Sequence, residues 1–550
     1  MKGQAMNTMN NAVIVPPEPS NEPVYDYAPG SRERSLIEEA LAATAASTIE
    51  IPLIIGGEEV TTGNTAEVVM PHDHKHVLAR YHQAGGKEVQ AAIDAALAAQ
   101  HLWQRLRWEE RAAIFLKAAE LLSQKYRYII NAGSMLSTSK TVHQAEIDAA
   151  CELIDFLRFN VYYAHTIYSQ QPKSSPGIWN YVQHRPLEGF VFAVTPFNFT
   201  AIAGNLPTAP AIMGNTVVWK PGSSCVYTPY LIMKILKEAG LPDGVINFVP
   251  GSGSDVGDIC LGDANLAGIH FTGSTRVFQK MWKTVGENIE RYRCYPRIVG
   301  ETGGKDFVVV HASANVRQVA TALVRGSFEY QGQKCSAASR AYIPRSLWPQ
   351  IRETLESQCS RITMGPPTDL ANYMGAVIDR NAYASIKEYI DYARENDDAE
   401  IIIGGGCDDS VGYYIEPTVI VVSDPRFKTM VEEIFGPVLS IYVYEDEEYE
   451  QTLKLCDESS QYALTGAVFA AERAAVSLAL EKLEHAAGNF YINDKPTGSV
   501  VGQQPFGGGR ASGTNDKAGS PTNLTRWTTQ RTVKETFVAA IDFPYPFMES

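Results

Sequence analysis

One cysteine lies in a setting that favours reactivity. The stretch EYQGQKCSAASR (329–340) places Cys335 between Lys334 and Ser336, with small residues around them. The thiolate is the nucleophilic form of cysteine, and we expect the neighbouring ammonium group to lower the thiol pKa. The stretch therefore predicts a nucleophile with room for a substrate, although most free cysteines are only small buried hydrophobic residues.

A second segment offers a donor that such a nucleophile needs. Attack of a thiolate on a carbonyl group creates an oxyanion, which is stabilised by donors already in place. The segment TPFNFTAIAGN (195–205) follows a predicted strand directly, at the edge where open α/β sheets bind ligands. Asn198 is the predicted donor there. From the residues alone, an asparagine that shapes a turn is an equally good interpretation.

A third segment supplies a carboxylate. In GETGGKD (300–306), Glu301 stands beside a glycine pair that permits close backbone approach. A carboxylate in this position predicts a general base that activates water. Taken alone, a glutamate in a turn is the more ordinary interpretation.

Two glycine-containing segments are typical of phosphate binding. FTGST (271–275) ends a predicted strand and opens a predicted helix, so Gly273 and Ser274 are expected at a helix N-terminus. GSGSDVG (251–257) resembles a phosphate loop but does not match the G-x-G-x-x-G spacing. Such segments are weak signals by themselves.

Strands and helices alternate in two regions, which must position these residues. The first holds four short β-rich segments that end in proline or glycine: FVFAVTP (190–196), TVVWKP (216–221), GVINFVP (244–250) and GIHFTG (268–273). The second, from about 302 to 496, holds four more: DFVVVH (306–311), RAYIP (340–344), PTVIVV (417–422) and GPVLSIYVY (436–444). Buried strands separated by helices, such as 228–240 and 346–362, predict two parallel, doubly wound α/β domains.

The two ends of the chain differ from this pattern. A proline-rich lead over 12–30 is expected to be extended, and helical patterns such as 87–103 and 140–164 are expected to dominate up to about residue 170. The tail 526–540 has strand character, so we expect it to pair with another element, one of a neighbouring subunit.

Composition excludes several classes of protein. The 550 residues favour two or three domains, and 47 basic against 62 acidic residues, a net charge of −15, argue against nucleic-acid binding. The sequence contains no run of 18 apolar residues, so we expect no transmembrane helix. Eight scattered cysteines without zinc-ligand spacing predict reduced thiols and no metal. The first 31 residues lack a signal or transit pattern, so we expect a cytoplasmic protein, or a mitochondrial matrix protein if the source is eukaryotic.

Taken in order, the motifs TPFNF, WKP, FTGS, GETGGK, GQKCS and EEIFGPVL (432–439) resemble the aldehyde dehydrogenase superfamily over roughly residues 50–540. The segments 144–160, 197–211, 329–337 and 486–519 resemble its branch that oxidises L-glutamate γ-semialdehyde, which is in equilibrium with Δ1-pyrroline-5-carboxylate. The resemblance implies an α/β fold of two doubly wound domains, one for the cofactor and one catalytic, with a small β oligomerisation flap.

The resemblance also implies roles for matched residues. Cys335 is similar to the nucleophile, Asn198 to the oxyanion donor and Glu301 to the base that hydrolyses a thioester. The implied cofactor is NAD, bound by six residues: Thr195, Lys220, Gly273, Ser274, Glu433 and Phe435. Many relatives carry an acidic residue three places after the WKP lysine, whereas this chain has Ser223. That departure bears on the choice between NAD and NADP, although the branch as a whole prefers NAD.

The substrate residues follow from the same resemblance. Those implied are Gly498, Ser499, Ser336, Phe199, Phe506, Glu152 and Lys334. Gly498 and Ser499 would anchor the substrate carboxylate, and the two phenylalanines would enclose the aliphatic stem of the substrate. From the residues alone, core phenylalanines and a solvated helix glutamate are the favoured interpretation.

The resemblance divides the chain into parts. An NAD-binding domain is expected over 1–172 and 191–301, a catalytic domain over 302–496, a substrate-anchor loop over 497–514 and an oligomerisation flap over 173–190 and 515–550. A β-hairpin near 173–190, packed with the C-terminal strands, implies a homodimer or a larger homo-oligomer. The substrate would come from a separate proline dehydrogenase, since the pattern fills the chain, and the reaction would be the second step of proline degradation.

Four alternatives remain at this point. A dehydrogenase of another semialdehyde, such as succinate semialdehyde, conflicts with the loop PTGSVVGQQPFGG (496–508). A coenzyme-A-acylating relative would not need Glu301 to activate water. A cysteine hydrolase would need a histidine base, and these motifs contain none. A non-catalytic protein that keeps only the fold would have no need for Cys335, Asn198 and Glu301 together.

Overall fold

The structure, a computed structural model, describes residues 12–548. Residues 1–11 and 549–550 lie outside this part. The start of the predicted NAD-binding domain and the end of the predicted flap fall on them, and so does part of the 31-residue N-terminal segment from which the compartment is predicted. From 12 to 28 the chain has no regular secondary structure, as predicted, and the first helix is Arg32–Ala45. No helix within the described residues is both long and apolar enough to cross a membrane.

The first large sheet has seven strands. Their order is Arg297–Glu301, Leu266–Thr272, Phe190–Val194, Thr216–Lys220, Ile246–Phe248, Leu53–Ile55 and Glu58–Val60. The first five are parallel and include all four predicted strands, and the last two run antiparallel. Helices connect or accompany these strands: Gly86–Trp103, Thr200–Ile212, Tyr227–Ala239, Gly253–Gly262 and Thr275–Glu287. Because parallel strands are covered on both faces, their side chains are almost all buried and apolar.

The second large sheet also has seven strands. Their order is Ala399–Ile403, Thr418–Val422, Val438–Tyr444, Ala338–Pro344, Asp306–Val310, Thr465–Phe469 and Asn489–Ile492. All are parallel to their neighbours except the first, which is antiparallel. The accompanying helices are Val316–Phe328, Trp348–Cys359, Arg380–Arg394, Tyr449–Glu458 and Arg473–Lys482. The second alternating region therefore forms the predicted doubly wound sheet.

A helical layer packs against the helices Thr200–Ile212 and Tyr227–Ala239, which accompany the first sheet. Its helices are Trp108–Leu121, Arg127–Thr138, Val142–Ala145 and Leu153–Tyr168, with π-helical turns at Leu122–Tyr126 and Glu146–Glu152. The single helix predicted over 140–164 is thus interrupted by a π-helical turn, which shifts the helical phase and re-aims the side chains on it.

The prediction that helices dominate up to residue 170 is wrong between 49 and 82. Five strands lie there: Ile49–Ile51, Leu53–Ile55, Glu58–Val60, Thr65–Met70 and Asp73–His82. The first, fourth and fifth form a small separate sheet. These strands are short or half-buried, so their apolar residues do not form a strong alternating pattern.

The prediction of a β-hairpin near 173–190 is also wrong. That region holds one strand, Ile178–Arg185, which pairs antiparallel with Thr529–Thr536. The tail therefore finds a strand partner, as predicted, and this partner lies within its own chain. The strand Ile178–Arg185 is mostly half-buried, and Thr529–Thr536 is mostly exposed.

The two large sheets adjoin at one place. The chain leaves the carboxyl end of the first sheet at Glu301 and enters the second at Asp306 after only four residues. The carboxyl edge of the first sheet therefore lies next to the amino edge of the second. Side chains from both sheets can meet in the space between these edges.

Candidate active site

Cys335 lies on a tight loop at the amino edge of the second sheet. A 3-10 turn, Glu329–Gly332, precedes it, and the strand Ala338–Pro344 follows. Gly332 has φ +65°, and a Cβ there would stand 2.2 Å from the carbonyl oxygen of Gly436, so only glycine fits. The loop buries Cys335 to 9% exposure.

The prediction that Lys334 lowers the thiol pKa is wrong. Burial, followed by the neighbouring carboxylates, raises the pKa of Cys335 well above its ordinary value. Lys334 instead directs its Nζ to Glu329 Oε2 at 3.2 Å, because the 3-10 turn brings Glu329 back towards it. The ammonium group is thus neutralised by a carboxylate of its own loop.

Asn198 joins the two sheets beside this cysteine. It follows the first-sheet strand Phe190–Val194, it is buried, and its Nδ2 donates a hydrogen bond of 3.1 Å to the carbonyl oxygen of Gln333. An amide nitrogen carries two N–H groups, and this bond uses one of them. The structure therefore places a side-chain donor against the loop that carries the thiol.

The helix after Asn198 is held by Asp148. The Asp148 carboxylate accepts hydrogen bonds from the backbone N–H groups of Thr200, at 3.0 Å, and Ala201, at 2.8 Å. Its Oδ2 also accepts a bond of 2.5 Å from the buried Lys140 Nζ. Asp148 lies on the π-helical turn, so that turn fixes where the loop with Asn198 begins its helix.

Glu301 is the last residue of its strand, and its side chain turns towards the glycine-rich segment 507–513. Its Oε2 accepts a hydrogen bond of 3.2 Å from the backbone N–H of Gly508. Burial raises the pKa of Glu301 well above its ordinary value. A carboxyl group with a raised pKa suits a general base that works near neutral pH.

A cavity of ≈ 410 Å³, which we call the substrate cavity, opens in front of the thiol. All seven residues predicted to contact the substrate line it together with Cys335: Glu152, Phe199, Lys334, Ser336, Gly498, Ser499 and Phe506. Sequence reasoning missed twelve further lining residues: Asn21, Glu22, Val24, Ile147, Cys151, Asp155, Ile202, Lys495, Thr497, Val500, Val501 and Gln503. Most of these come from the lead, the π-helical turn and the anchor loop; those of the anchor loop lie within the segment 496–508, whereas nothing in the sequence marks those of the lead and the turn.

The substrate cavity carries charges of both signs. The carboxylates of Glu22, Glu152 and Asp155 line it on the side of the lead and the helical layer, and two lysines, Lys334 and Lys495, line it near the anchor loop. Burial raises the pKa of Glu152 to about 8 and that of Asp155 to about 6, so Glu152 is mainly protonated at neutral pH and the negative charge of the cavity comes from Glu22 and Asp155. Such a pocket suits a ligand with a positive and a negative group of its own.

A second, smaller cavity of ≈ 40 Å³ lies behind the thiol, and we call it the inner cavity. Cys335 and Glu301 both line it, together with Glu152 and Phe506. This volume has room for a water molecule. Cys335 thus stands between the substrate cavity and a space that it shares with a carboxyl group.

Four residues predicted for the cofactor lie at the carboxyl edge of the first sheet. Lys220 ends its strand, Thr195 and Gly273 follow theirs, and Ser274 is the N-cap of the helix Thr275–Glu287. Burial lowers the pKa of Lys220 to about 8, and its Nζ donates to the carbonyl oxygen of Pro221 at 2.9 Å. The Ser274 side chain makes no capping bond, and its carbonyl oxygen accepts from the N–H groups of Val277 and Phe278, so the N–H groups of Thr275 and Arg276 are the ones placed to meet a phosphate.

The other two cofactor residues approach from the second sheet. Glu433 Oε1 accepts a hydrogen bond of 3.0 Å from the backbone N–H of Gly304, and a Cβ on Gly303 would stand 2.2 Å from its other oxygen. The ring of Phe435 lies 5.9 Å from the ring of Phe197. Four of the predicted cofactor residues therefore lie at the carboxyl edge of the first sheet, and the other two contact segments that follow its strands from the side of the second sheet; we call this region the cofactor cleft. A buried ammonium group with a helix N-terminus suits a dinucleotide.

Comparison with known proteins agrees with this arrangement. The model of the aldehyde dehydrogenase family matches residues 59–533. The chain is 54% identical over 535 residues, 97% of this chain and 96% of the relative, to the mitochondrial Delta-1-pyrroline-5-carboxylate dehydrogenase of Dictyostelium discoideum. It is 52% identical to the Delta-1-pyrroline-5-carboxylate dehydrogenase of Agaricus bisporus, and the match covers 98% of this chain and 99% of the relative.

A solved structure is similar over the same length. The Delta-pyrroline-5-carboxylate dehydrogenase of Mycobacterium tuberculosis, crystallised with NAD, superposes with a TM-score of 0.95 at 53% identity, covering 98% of this chain and 100% of that chain. The predicted fold, two doubly wound α/β domains with a small β-structure, is confirmed by this likeness.

Proposed function

The chain belongs to the aldehyde dehydrogenase family, and we propose that it oxidises L-glutamate γ-semialdehyde to L-glutamate with NAD. The relatives that share half of its residues over nearly the whole chain are named for this activity. One observation carries the proposal: Cys335 lines both a cavity suited to a zwitterion and a cavity that it shares with Glu301.

The first half of the reaction takes place at Cys335. Its thiol loses a proton, and the sulfur adds to the aldehyde carbon, so the carbonyl oxygen becomes an oxyanion. The side-chain amide of Asn198 and the backbone N–H of Cys335 are the proposed donors to that oxygen. Bound NAD supplies a hydride acceptor. Once the aldehyde hydrogen has left as hydride, the carbonyl re-forms and the sulfur holds the acyl group as a thioester.

The second half takes place from the inner cavity. Glu301 removes a proton from a water molecule, whose oxygen attacks the thioester carbon. The carbon–sulfur bond breaks, the acid leaves, and the departing sulfur takes the proton that Glu301 accepted, which restores both the thiol and the carboxylate. Burial raises the pKa of Glu301, so its carboxylate is a stronger base for this step than the carboxylate of an exposed glutamate.

The cofactor cleft assigns roles to the chain's own residues. Lys220 would hold the adenosine ribose, and Thr195, Gly273 and Ser274 would line the adjoining part of the dinucleotide. Glu433 and Phe435 would hold the nicotinamide ribose from the other side of the cleft. With these roles, the reactive end of the cofactor would lie next to the loop of Cys335, because Gly304, which bonds Glu433, lies against the carbonyl oxygen of Cys335.

The substrate cavity assigns the remaining roles. Gly498 and Ser499 would anchor the substrate carboxylate with N–H and O–H donors. Ser336, whose Oγ lies 2.8 Å from Thr497 Oγ1, connects the nucleophile loop to the anchor loop. Phe199 and Phe506 line the stretch between the anchor loop and the thiol, where the aliphatic stem would lie.

The wider organisation is part of the proposal. The first sheet with its helices would be the NAD-binding domain, the second the catalytic domain, and the paired strands Ile178–Arg185 and Thr529–Thr536 the contact of a homo-oligomer. A separate proline dehydrogenase would supply the substrate. The eight cysteines are all free thiols, which suits the cytoplasm or, for a eukaryotic source, the mitochondrial matrix.

Formation of NADH tests the proposal. The purified chain with NAD should produce NADH from L-glutamate γ-semialdehyde, and glutamate should accumulate in equal amount. A panel of short aldehydes, including propanal and succinate semialdehyde, measures selectivity. Equal kcat/KM for propanal and glutamate semialdehyde would contradict the assigned substrate, and no NADH from any aldehyde would contradict the assigned chemistry.

A further inference from the structure

A segment of the N-terminal lead forms one wall of the substrate cavity. Three of its residues, Asn21, Glu22 and Val24, line that cavity although they precede the first helix of the chain. We call residues 21–27 the strap. The strap belongs to neither of the two large sheets, so its place at the cavity requires specific contacts.

Buried charges fasten the strap to the helical layer. Glu22 is 8% exposed, and its carboxylate accepts hydrogen bonds of 2.6 Å from both Arg127 and Arg158. Arg127 also donates to the carbonyl oxygen of Pro23 at 2.6 Å. A buried carboxylate that is paired in this way resists displacement, because leaving it unpaired in the protein interior costs several kcal/mol.

A second contact lies farther along the strap. The Tyr27 hydroxyl donates a bond of 2.7 Å to Glu146 Oε2, and the backbone N–H of Tyr25 donates one of 3.0 Å to Glu146 Oε1. Glu146 begins the π-helical turn. The strap is therefore held at both its ends by the layer that carries Glu152.

Asn21 connects this fixed strap to the anchor loop. Its Nδ2 donates bonds of 2.8 Å to Asp155 Oδ2 and to the carbonyl oxygen of Val501, and its Oδ1 accepts one of 2.9 Å from Gln503 Nε2. The backbone N–H of Glu22 completes the junction with a bond of 2.8 Å to Asp155 Oδ1. The Asn21 side chain thus connects the helix of Asp155 to the anchor loop, which lies nearly 500 positions after Asn21 in the chain.

We propose that Asn21 is a positioning residue for substrate selectivity, which holds the anchor loop in the place where it receives the amino-acid end of the substrate. The inference rests on the proposed function. Gly498 and Ser499 precede Val501 by only three and two positions, so a loop released at Val501 would also release the groups assigned to the substrate carboxylate. The thiol, Asn198 and the cofactor cleft lie outside these bonds.

The variant Asn21→Ala tests this role. We expect the KM for L-glutamate γ-semialdehyde to rise about tenfold, since the two hydrogen bonds to the loop and the one to Asp155 are lost together. The kcat/KM for propanal, which has no amino-acid end, and the KM for NAD should stay within about twofold of the wild type. Calorimetry with L-glutamate, the product, should show a similar weakening of binding without turnover.

Two further variants complete the test, one as a control and one as a second test of Asn21. Asp26→Ala removes an exposed carboxylate of the same strap, whose side chain forms no hydrogen bond within residues 12–548, and should match the wild type. Asn21→Asp keeps the shape, loses both donated bonds and sets a carboxylate against Asp155. It should repeat the selective loss even if Asn21→Ala folds poorly, and its melting temperature shows whether the fold is intact.

The possible results separate the two hypotheses. An Asn21→Ala enzyme with an unchanged KM for the semialdehyde would overturn the role of the strap and leave the proposed function standing. Equal losses with propanal and the semialdehyde would also overturn it, because the effect would then lie at the thiol or in the fold. A wild-type chain that oxidises propanal but neither binds L-glutamate nor oxidises its semialdehyde would overturn the proposed substrate itself.

Discussion

The side-chain amide of Asn198 bonds the carbonyl oxygen of Gln333 at 3.1 Å, two residues before Cys335. The bond crosses from the carboxyl edge of one sheet to the amino edge of the other. It fixes the position of the amide relative to the thiol's own loop, so the remaining N–H of Asn198 does not have to be ordered when the substrate arrives. Donors that are already in place are the ones that stabilise a transition state effectively.

Asn198→Ala should therefore lower kcat roughly a hundred- to a thousandfold, the usual cost of losing one oxyanion donor. The KM for NAD should change little, because Asn198 does not belong to the residues assigned to the cofactor. Steady-state formation of NADH measures both constants. Asn198→Asp, which keeps the shape but removes the donor, should lose at least as much, and activity close to that of the wild type in either variant would contradict this role.

Cys335 should react with an alkylating reagent faster as the pH rises through the alkaline range. Burial and the nearby carboxylates raise the pKa of its thiol, so the thiolate is a minor form at neutral pH and increases as the pH approaches that raised pKa. The rate of inactivation by iodoacetamide, measured against pH without NAD, checks this. Cys335→Ala reports the background from the other thiols, and a rate that levels off below pH ~8, near the ordinary cysteine pKa, would contradict the expectation.

The three catalytic candidates could be found from the sequence because each lies in a short motif at the end of a strand. Asn198 and Glu301 sit at the carboxyl edge of the first sheet, and Cys335 sits just before a strand of the second. In a parallel sheet the strand order alone brings such ends together. The two sheets could be predicted for the same reason, since buried parallel strands are short, continuous apolar segments.

The strap could not be predicted, because its contacts are determined by the tertiary fold. Asn21 meets Asp155 and Val501 across 134 and 480 positions of sequence, and an asparagine in a proline-rich lead resembles any solvated loop residue. The ion-pair partner of Lys334 could not be predicted either, although it lies only five positions away in the sequence. Its contact with Glu329 depends on two non-glycine residues with positive φ, Tyr330 and Gln331, which no propensity indicates.

Glu301→Gln should separate the two halves of the reaction. Hydride transfer does not need this carboxylate, so one equivalent of NADH per active thiol should still appear as a burst. Hydrolysis of the thioester should then fall by about two to four orders of magnitude, the usual contribution of a general base. Rapid mixing with NAD and the semialdehyde resolves the burst from the steady state.

The pH dependence of that hydrolysis follows from the same carboxyl group. Because the pKa of Glu301 is raised, the protonated form prevails at low pH, and the steady-state rate of the wild type should increase with pH up to that raised pKa. In Glu301→Gln this increase should disappear. A variant without any burst, or one that keeps the wild-type steady state, would show that the carboxylate has a different role.

Ser223→Glu should sharpen the preference for NAD over NADP. Ser223 Oγ lies 3.4 Å from Lys220 Nζ, the group assigned to the adenosine ribose, and the serine is exposed. A carboxylate here would accept a bond from the ribose hydroxyl of NAD and repel the phosphate that NADP carries in its place. We expect kcat/KM with NADP to fall at least about tenfold while that with NAD changes by less than about threefold.

Ser223→Gln, similar in size but uncharged, is the matched control and should leave NADP use nearly as it is in the wild type. An equal loss with both cofactors in Ser223→Glu would instead mean that the added side chain blocks the cleft, and the assignment of Lys220 to the ribose would lose its support.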